Sequence, residues 1–180
     1  LMDQVINTLG MNAPYEVVND GMIGLFAGAK KNWGVVVSSG TSSNARGRDQ
    51  NGKIGRMTGN GMYFGEIGGG TELVWKAVAE ISRTWSKRGP KTALSQIFVD
   101  HLGAKDVGDL LEGLARGRFE VNATDAPLVF DAASKGDAVA QDIIHWLGAG
   151  LADLAVGIIN QLGFHDLEFL LSDHPMGFGG

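Results

Sequence analysis

The apolar positions of this chain follow two regimes. Up to about residue 58 they come in short runs, and beyond residue 70 they recur at steps of three and four. Tyr15-Glu16-Val17-Val18 predicts a buried strand over residues 15–19. Met22, Ile23, Leu25 and Phe26 fit a short helix over 21–29. The β-branched run Val35-Val36-Val37 predicts a strand over 33–38. Asp49-Gln50-Asn51-Gly52 is a hairpin turn signal, because Asn-Gly tolerates positive φ, and 53–57 reads as the return strand. In the second regime Leu73, Val74, Ala77, Val78, Ile81 and Trp85 share one face of a helix starting at an N-cap, Thr71. Arg88-Gly89-Pro90 breaks it, and shorter helices follow at 91–102, 106–116 and 126–134. The longest helix, 137–162, carries Val139, Ile143, Ile144, Leu147, Leu151, Leu154, Ile158 and Leu162 at helical spacing. Gly163 ends it, and 167–171 reads as a further strand.

Strands, then helices, then a strand predict an α/β or α+β fold. With no internal repeat and no low-complexity linker, residues 1–180 read as a single domain. Between the two regimes, residues 59–70 are rich in glycine. They predict a loop whose backbone approaches something closely or takes left-handed angles.

Composition narrows the partners. A net charge of -5 and no Lys/Arg run longer than two give no nucleic-acid signature. No cysteine is present, so disulfides and thiolate metal sites are excluded, which fits a reducing compartment and a cytoplasmic protein. His101, His145, His165 and His174 show no metal-ligand spacing. No apolar run approaches the ~20 residues of a membrane span. The start at Leu1 and the end soon after an apolar run read as part of a longer chain.

Two small motifs carry chemistry. Asn19-Asp20 ends the first predicted strand, where a carboxylate can take a proton from a hydroxyl. Asn and Asp are equally the favoured caps for a helix beginning at Gly21, and both readings stand. Ser38-Ser39-Gly40-Thr41-Ser42-Ser43-Asn44 ends the second strand, and the N–H groups and hydroxyls of its loop 39–44 suit phosphate oxygens. An ordinary hairpin turn uses the same residues. Asn44 lies close enough in sequence to reach a hydroxyl of the same ligand. The segment 65–71 leads into a helix N-terminus, whose N–H groups favour anions. There Glu66 either binds a hydroxyl or caps the helix. Gly68, Gly69 and Gly70 either admit a ligand to the backbone or serve conformation alone.

In this order the motifs resemble the N-acetylglucosamine kinase and BadF/BadG/BcrA/BcrD ATPase family of the actin-like ATPase superfamily. Val17-Val18-Asn19-Asp20 resembles its strand ending in Asn-Asp, and Ser38 to Gly47 its second phosphate loop. Arg56 to Gly61 resembles Arg-x-Gly-Gly-x-Gly, and Gly65-Glu66-Ile67-Gly68-Gly69 resembles Gly-Asp-Glu-Gly-Ser before a helix. Ala126 to Ala133 with Gly136-Asp137 resembles a late helix pair. The chain departs from the pattern at Ser42, Asn60, Glu66 and Ile67, and it lacks the family's first phosphate loop and its Gly-Gly adenosine turn.

The resemblance implies a ribonuclease-H-like (actin-like ATPase) domain, a mixed sheet with helices. It would be the C-terminal domain of a two-domain protein, with 1–19 open to assignment as the tail of a missing N-terminal companion. It implies ATP and Mg2+ as cofactors and phosphorylation of an amino sugar such as N-acetylglucosamine. It casts Asp20 as base, Asn19, Thr41, Asn44, Gly61 and Glu66 as substrate contacts, and Gly40, Thr41, Ser42, Gly68 and Gly69 as nucleotide or phosphate contacts. Partners are then a small sugar and ATP, with no nucleic acid and no membrane, and a homodimer is left open. A hydrolysis-driven conformational ATPase and a non-catalytic binding domain are the alternatives.

Overall fold

A computed structural model describes residues 2–10, 19–29 and 31–164; the side chains of Met2, Asp3, Asn7 and Asp20 fall outside that description. The strand expected over 167–171, and residues 15–18 of the first expected strand, lie outside the described residues.

Two helices precede the sheet, α1 (Met2–Thr8) and α2 (Asp20–Gly28). Three strands follow, β1 (Gly34–Ser39), β2 (Ser43–Arg48) and β3 (Ile54–Arg56), in the order β1-β2-β3. Every pairing is antiparallel, with Val37 opposite Ala45 and Gly47 opposite Gly55. A mixed sheet was the expectation; among the described residues the sheet is a purely antiparallel meander, because each connection is a tight turn. The second turn forms at the predicted place. Asp49 accepts from the N–H groups of Asn51 and Lys53, both at 2.8 Å, and Gly52 takes φ 85°. Asn51 keeps a negative φ, so only the glycine of the Asn-Gly pair uses the left-handed region.

The helices match the periodic regime: α3 (Gly70–Trp85), α4 (Leu94–Leu102), α5 (Val107–Ala115), α6 (Ala126–Ser134) and α7 (Ala138–Leu162). Two boundaries move. Residues 91–93 precede α4 rather than open it, with Thr92 and Ala93 tied to Asp137. The N-cap of α3 is Gly69, not Thr71. Glu72 reaches back to accept the Gly69 N–H at 2.9 Å, the carboxylate half of a capping box.

α7 organises the domain. Its first half packs with α3, α4, α5 and α6 around Leu73, Val74, Ile81, Phe98, Leu110, Val129 and Ile143. Its second half puts Leu154, Ile158 and Leu162 on the sheet, against Val35, Val37, Ala45 and Met57. At about 1.5–3 kcal/mol per buried aliphatic side chain, these two clusters outweigh any single polar contact in the fold. By length and composition α7 could cross a bilayer, with a mean hydropathy of 1.5. Its buried residues nevertheless fall on the face that meets the sheet and the other helices, the arrangement of a core helix.

The sheet is covered on both faces. Gly47 and Gly55 leave room for α7, since a Cβ on Gly47 would lie 2.4 Å from Ile158 Cγ2. On the opposite face Met22 and Leu25 of α2 are buried, and Arg46 runs beneath Gly21. Trp85, read with the apolar face of α3, stands 57% exposed, as does Trp75 on the same helix at 48%.

Candidate functional site

One end of the sheet collects the residues that the sequence marks. It holds the C-terminal end of β1, the start of β2, the end of β3 and the N-termini of α2 and α3. Asn19 is the N-cap of α2, its side-chain oxygen accepting the Gly21 N–H at 3.0 Å. The same oxygen accepts the Asn44 Nδ2 at 3.2 Å, joining residues 25 positions apart. Asp20 is the first residue of α2, directly after the cap. Of the Asn19-Asp20 pair, it is Asn19 that fills the capping role.

Asn44 belongs to β2, not to the loop before it. Because its amide nitrogen is committed to Asn19, its Oδ1 must act as acceptor, and that atom is buried with no partner among the described residues. A buried unsatisfied acceptor costs roughly 1–3 kcal/mol, which a donating hydroxyl or amide of a ligand would relieve.

Gly40, Thr41 and Ser42 form the exposed turn between β1 and β2. The turn is closed by the Gly40 N–H on the Ser42 carbonyl at 3.0 Å. Its outer carbonyls are tied to the start of α3: Gly70 N–H donates to Gly40 at 2.8 Å and Thr71 N–H to Thr41 at 3.1 Å. A planar trans peptide points its N–H opposite to its C=O, so the Thr41 and Ser42 N–H groups point away from α3. The start of α3, read from sequence as an anion site, spends the Gly70 and Thr71 N–H groups on this loop and the Gly69 N–H on Glu72. Its positive end orients the loop.

The three glycines of the 68–70 segment make room for the protein's own atoms. A Cβ on Gly69 would stand 2.4 Å from Ser42 Cα, and one on Gly68 2.4 Å from Leu151 Cδ2. Ser39 Oγ donates to the Gly68 carbonyl at 2.6 Å, a further tie between loop and glycines.

Glu66 is buried and does not cap α3. Its carboxylate accepts the N–H groups of Thr58 at 2.6 Å, Asn60 at 2.9 Å and Gly61 at 3.3 Å, gathering the segment after β3 into a loop. Burial pulls this carboxyl upward, but the Thr58, Asn60 and Gly61 donors together outweigh it and hold it below the ordinary 4.5. A lowered folded value means full stabilisation above about pH 4.5, lost as pH falls through the folded value. Glu66→Gln is expected to cost about 1–2 kcal/mol near neutral pH. That gap in urea midpoints should hold from pH 7 down to about pH 4.5 and shrink as pH falls further, and a pH-independent gap would refute the ionic contribution.

A groove of about 520 Å³ opens beside the loop. One wall is Ser39, Gly40 and Thr41; the other is Ala123, Thr124 and Ala126; Leu73, Leu147 and Phe130 supply apolar floor and rim. The second wall was not read from sequence. It is a single 3-10 turn, Ala123–Asp125, closed by Asn122 and Asp125 as a reciprocal capping box, and Asp125 is braced by His101 at 2.9 Å. The Asn-x-x-Asp spacing was the available signal. Among the described residues no group of three His, Cys, Asp or Glu side chains is placed to hold a metal ion.

No protein-family profile matches the chain. Over 175 residues it is 33% identical to an N-acetylmuramic acid/N-acetylglucosamine kinase of Clostridium acetobutylicum, covering 96% of the chain and 57% of that protein. It is 28% identical over 168 residues to an N-acetyl-D-glucosamine kinase of Dictyostelium discoideum, covering 91% of the chain and 53% of the relative. The chain thus spans about half the length of the curated relatives it matches. A crystal structure from Chromobacterium violaceum, described as that of a candidate N-acetylglucosamine kinase, superposes with a TM-score of 0.65 at 23% identity. The match covers 89% of this chain and 57% of that one, and it shows a shared fold.

Proposed function

We propose, for a chain that is a relative of N-acetylglucosamine kinases over nearly its whole length, that the intact protein transfers the γ-phosphate of ATP to a hydroxyl of an amino sugar. The acceptor class is N-acetylglucosamine and its derivatives. The observation that carries this reading is the pairing of Asn19 with Asn44 beside the exposed 40–42 turn. A candidate base and a candidate phosphate cradle share one end of the sheet.

Phosphoryl transfer asks a protein for positioning and charge stabilisation more than for covalent chemistry. In this reading Asp20 takes the hydroxyl proton. Asn19, Asn44, Gly61 and Glu66 set the sugar, with Glu66 acting chiefly by shaping the 58–61 loop. Thr41 bridges the two substrates. Gly40, Thr41 and Ser42 offer N–H groups and hydroxyls to phosphate, and Gly68 and Gly69 let that loop sit against α3. The groove between Thr41 and Thr124 suits the nucleoside by its apolar floor. Mg2+ fits such a site as an ion carried on ATP phosphates, since kinases use few protein ligands for it. The reading makes the domain the ribonuclease-H-like, C-terminal part of an actin-like two-domain kinase, working in the cytoplasm where ATP is supplied.

The test is ADP release by the intact protein with Mg-ATP across a panel of sugars and amino sugars. Release that needs one amino sugar supports the kinase. Equal rates with and without sugar would instead assign a conformational ATPase, and no release with any acceptor would assign a binding domain.

A further inference from the structure

The groove beside the 40–42 turn carries a hydroxyl on each wall, and hydrogen bonds inside the fold limit what each can still offer. Thr124 Oγ1 lies 2.7 Å from Asn122 Oδ1. The same Asn122 atom accepts the Thr124 N–H at 2.9 Å. A backbone N–H only donates, so that atom is the amide oxygen, which only accepts. The Thr124 hydroxyl proton therefore points at Asn122, and lone pairs alone remain for any other neighbour. Among the described residues no N–H or O–H is donated to them. Ser39 on the opposite wall is in the same state, its proton committed to the Gly68 carbonyl at 2.6 Å.

The wall that carries Thr124 is braced from behind. Asp125 is buried, accepts the Asn122 N–H at 2.9 Å and meets His101 at 2.9 Å. Ala123 packs on the start of α3, where a Cβ on Gly70 would lie 3.1 Å from Ala123 Cβ. The Gly70 N–H in turn holds the Gly40 carbonyl of the facing turn. Thr124 and the 40–42 turn are thus set against one another through a single residue of α3.

Ionised phosphate presents acceptor oxygens, so a hydroxyl reduced to lone pairs repels it. The Thr41 and Ser42 N–H groups, pointing away from α3, suit it instead. The groove is therefore polarised, with donors at the turn, an acceptor at Thr124, and Leu73, Leu147 and Phe130 as its apolar part. A nucleotide has its groups in a matching order: phosphate acceptors, ribose hydroxyl donors, then the apolar faces of the base.

We propose that Thr124 selects ribonucleotides over deoxyribonucleotides by accepting a hydrogen bond from a ribose hydroxyl. The proposal rests on the ATP reading above and names the part of the nucleotide that the second wall recognises. Thr124 sets nucleotide specificity and takes no part in phosphoryl transfer.

The test measures Kd by titration calorimetry for ADP, 2′-deoxyADP, 3′-deoxyADP and inosine diphosphate, which lacks the base amine. It uses the intact protein and its Thr124→Val and Thr124→Ser variants, with melting curves to establish folding. Valine keeps the branched shape without the oxygen, and serine keeps the oxygen. Wild type should bind ADP about three- to tenfold more tightly than at least one deoxy nucleotide, the worth of one hydrogen bond. Thr124→Val should erase that preference and Thr124→Ser should retain it. Equal weakening of all four ligands in Thr124→Val would show a merely structural role and overturn the proposal. So would a wild type that binds ADP and both deoxy nucleotides alike. A preference for ADP over inosine diphosphate that alone disappears in Thr124→Val would give the hydroxyl to the base amine and likewise overturn it. Sugar-dependent ADP release from ATP is followed in parallel. Ribose selection without release would sink the kinase reading and leave the proposal standing; release without ribose selection would do the reverse. Absence of binding for all four ligands would overturn both.

Discussion

Replacing Asp20 by Asn in the intact protein is expected to lower sugar-dependent ADP release by about 10²–10⁴-fold, the usual worth of a general base. KM for ATP should change little. The substitution suits its purpose because Asn19, not Asp20, caps α2, so the Gly21 N–H keeps its acceptor. Asn has nearly the same shape as Asp and removes only the proton-accepting charge. At the start of a helix an acidic side chain also favours the dipole, by about 0.3–1 kcal/mol. That contribution appears in thermal stability and not in kcat. Steady-state kinetics and a melting curve on the same variant therefore separate the roles. A kcat within about tenfold of wild type, with a lowered melting temperature, would assign Asp20 to the helix start and remove it from the chemistry.

Gly69→Ala is expected to cost about 3 kcal/mol, the upper end of the overpacking range. The φ of Gly69 is -102°, so alanine meets no backbone strain there. The cost is steric: the new Cβ would lie 2.4 Å from Ser42 Cα and 2.7 Å from Glu72 Oε2. A flexible side-chain tip could yield cheaply, but a backbone atom of the neighbouring turn cannot. For a domain of this size the melting temperature should fall by about 6–12 °C. The 40–42 turn should shift from the groove, raising KM for ATP with a smaller effect on KM for the sugar. Gly148→Ala is the control. Nothing lies within 4 Å of its added Cβ, and removing an exposed helical glycine should stabilise by up to about 1 kcal/mol. A Gly69→Ala protein as stable as wild type would show that α3 and the turn are not packed as described.

The sequence alone determined the helical half of this protein. The apolar stripes of α3 and α7 are local properties, written in residues a few positions apart, and apart from Trp85 at the exposed end of α3 their buried faces match the periodicity. The stripe said nothing of α7's two partners, because one apolar face packs equally well on helices or on a sheet. Val35-Val36-Val37 carried its own strand signal, whereas Ser43–Arg48 has no β-branched residue and forms β2 through pairing and through Ile158 seated on Gly47. The motifs marked the region of the site, but not the roles within it. Glu66 and Glu72 look alike in sequence, and only the folded chain makes one the hub of the 58–61 loop and the other the cap of α3. Asn19 meets Asn44 because α2 and β2 come together at one sheet end. Such contacts join residues far apart in the chain, and propensity and periodicity act only over neighbours, so tertiary packing decided the site.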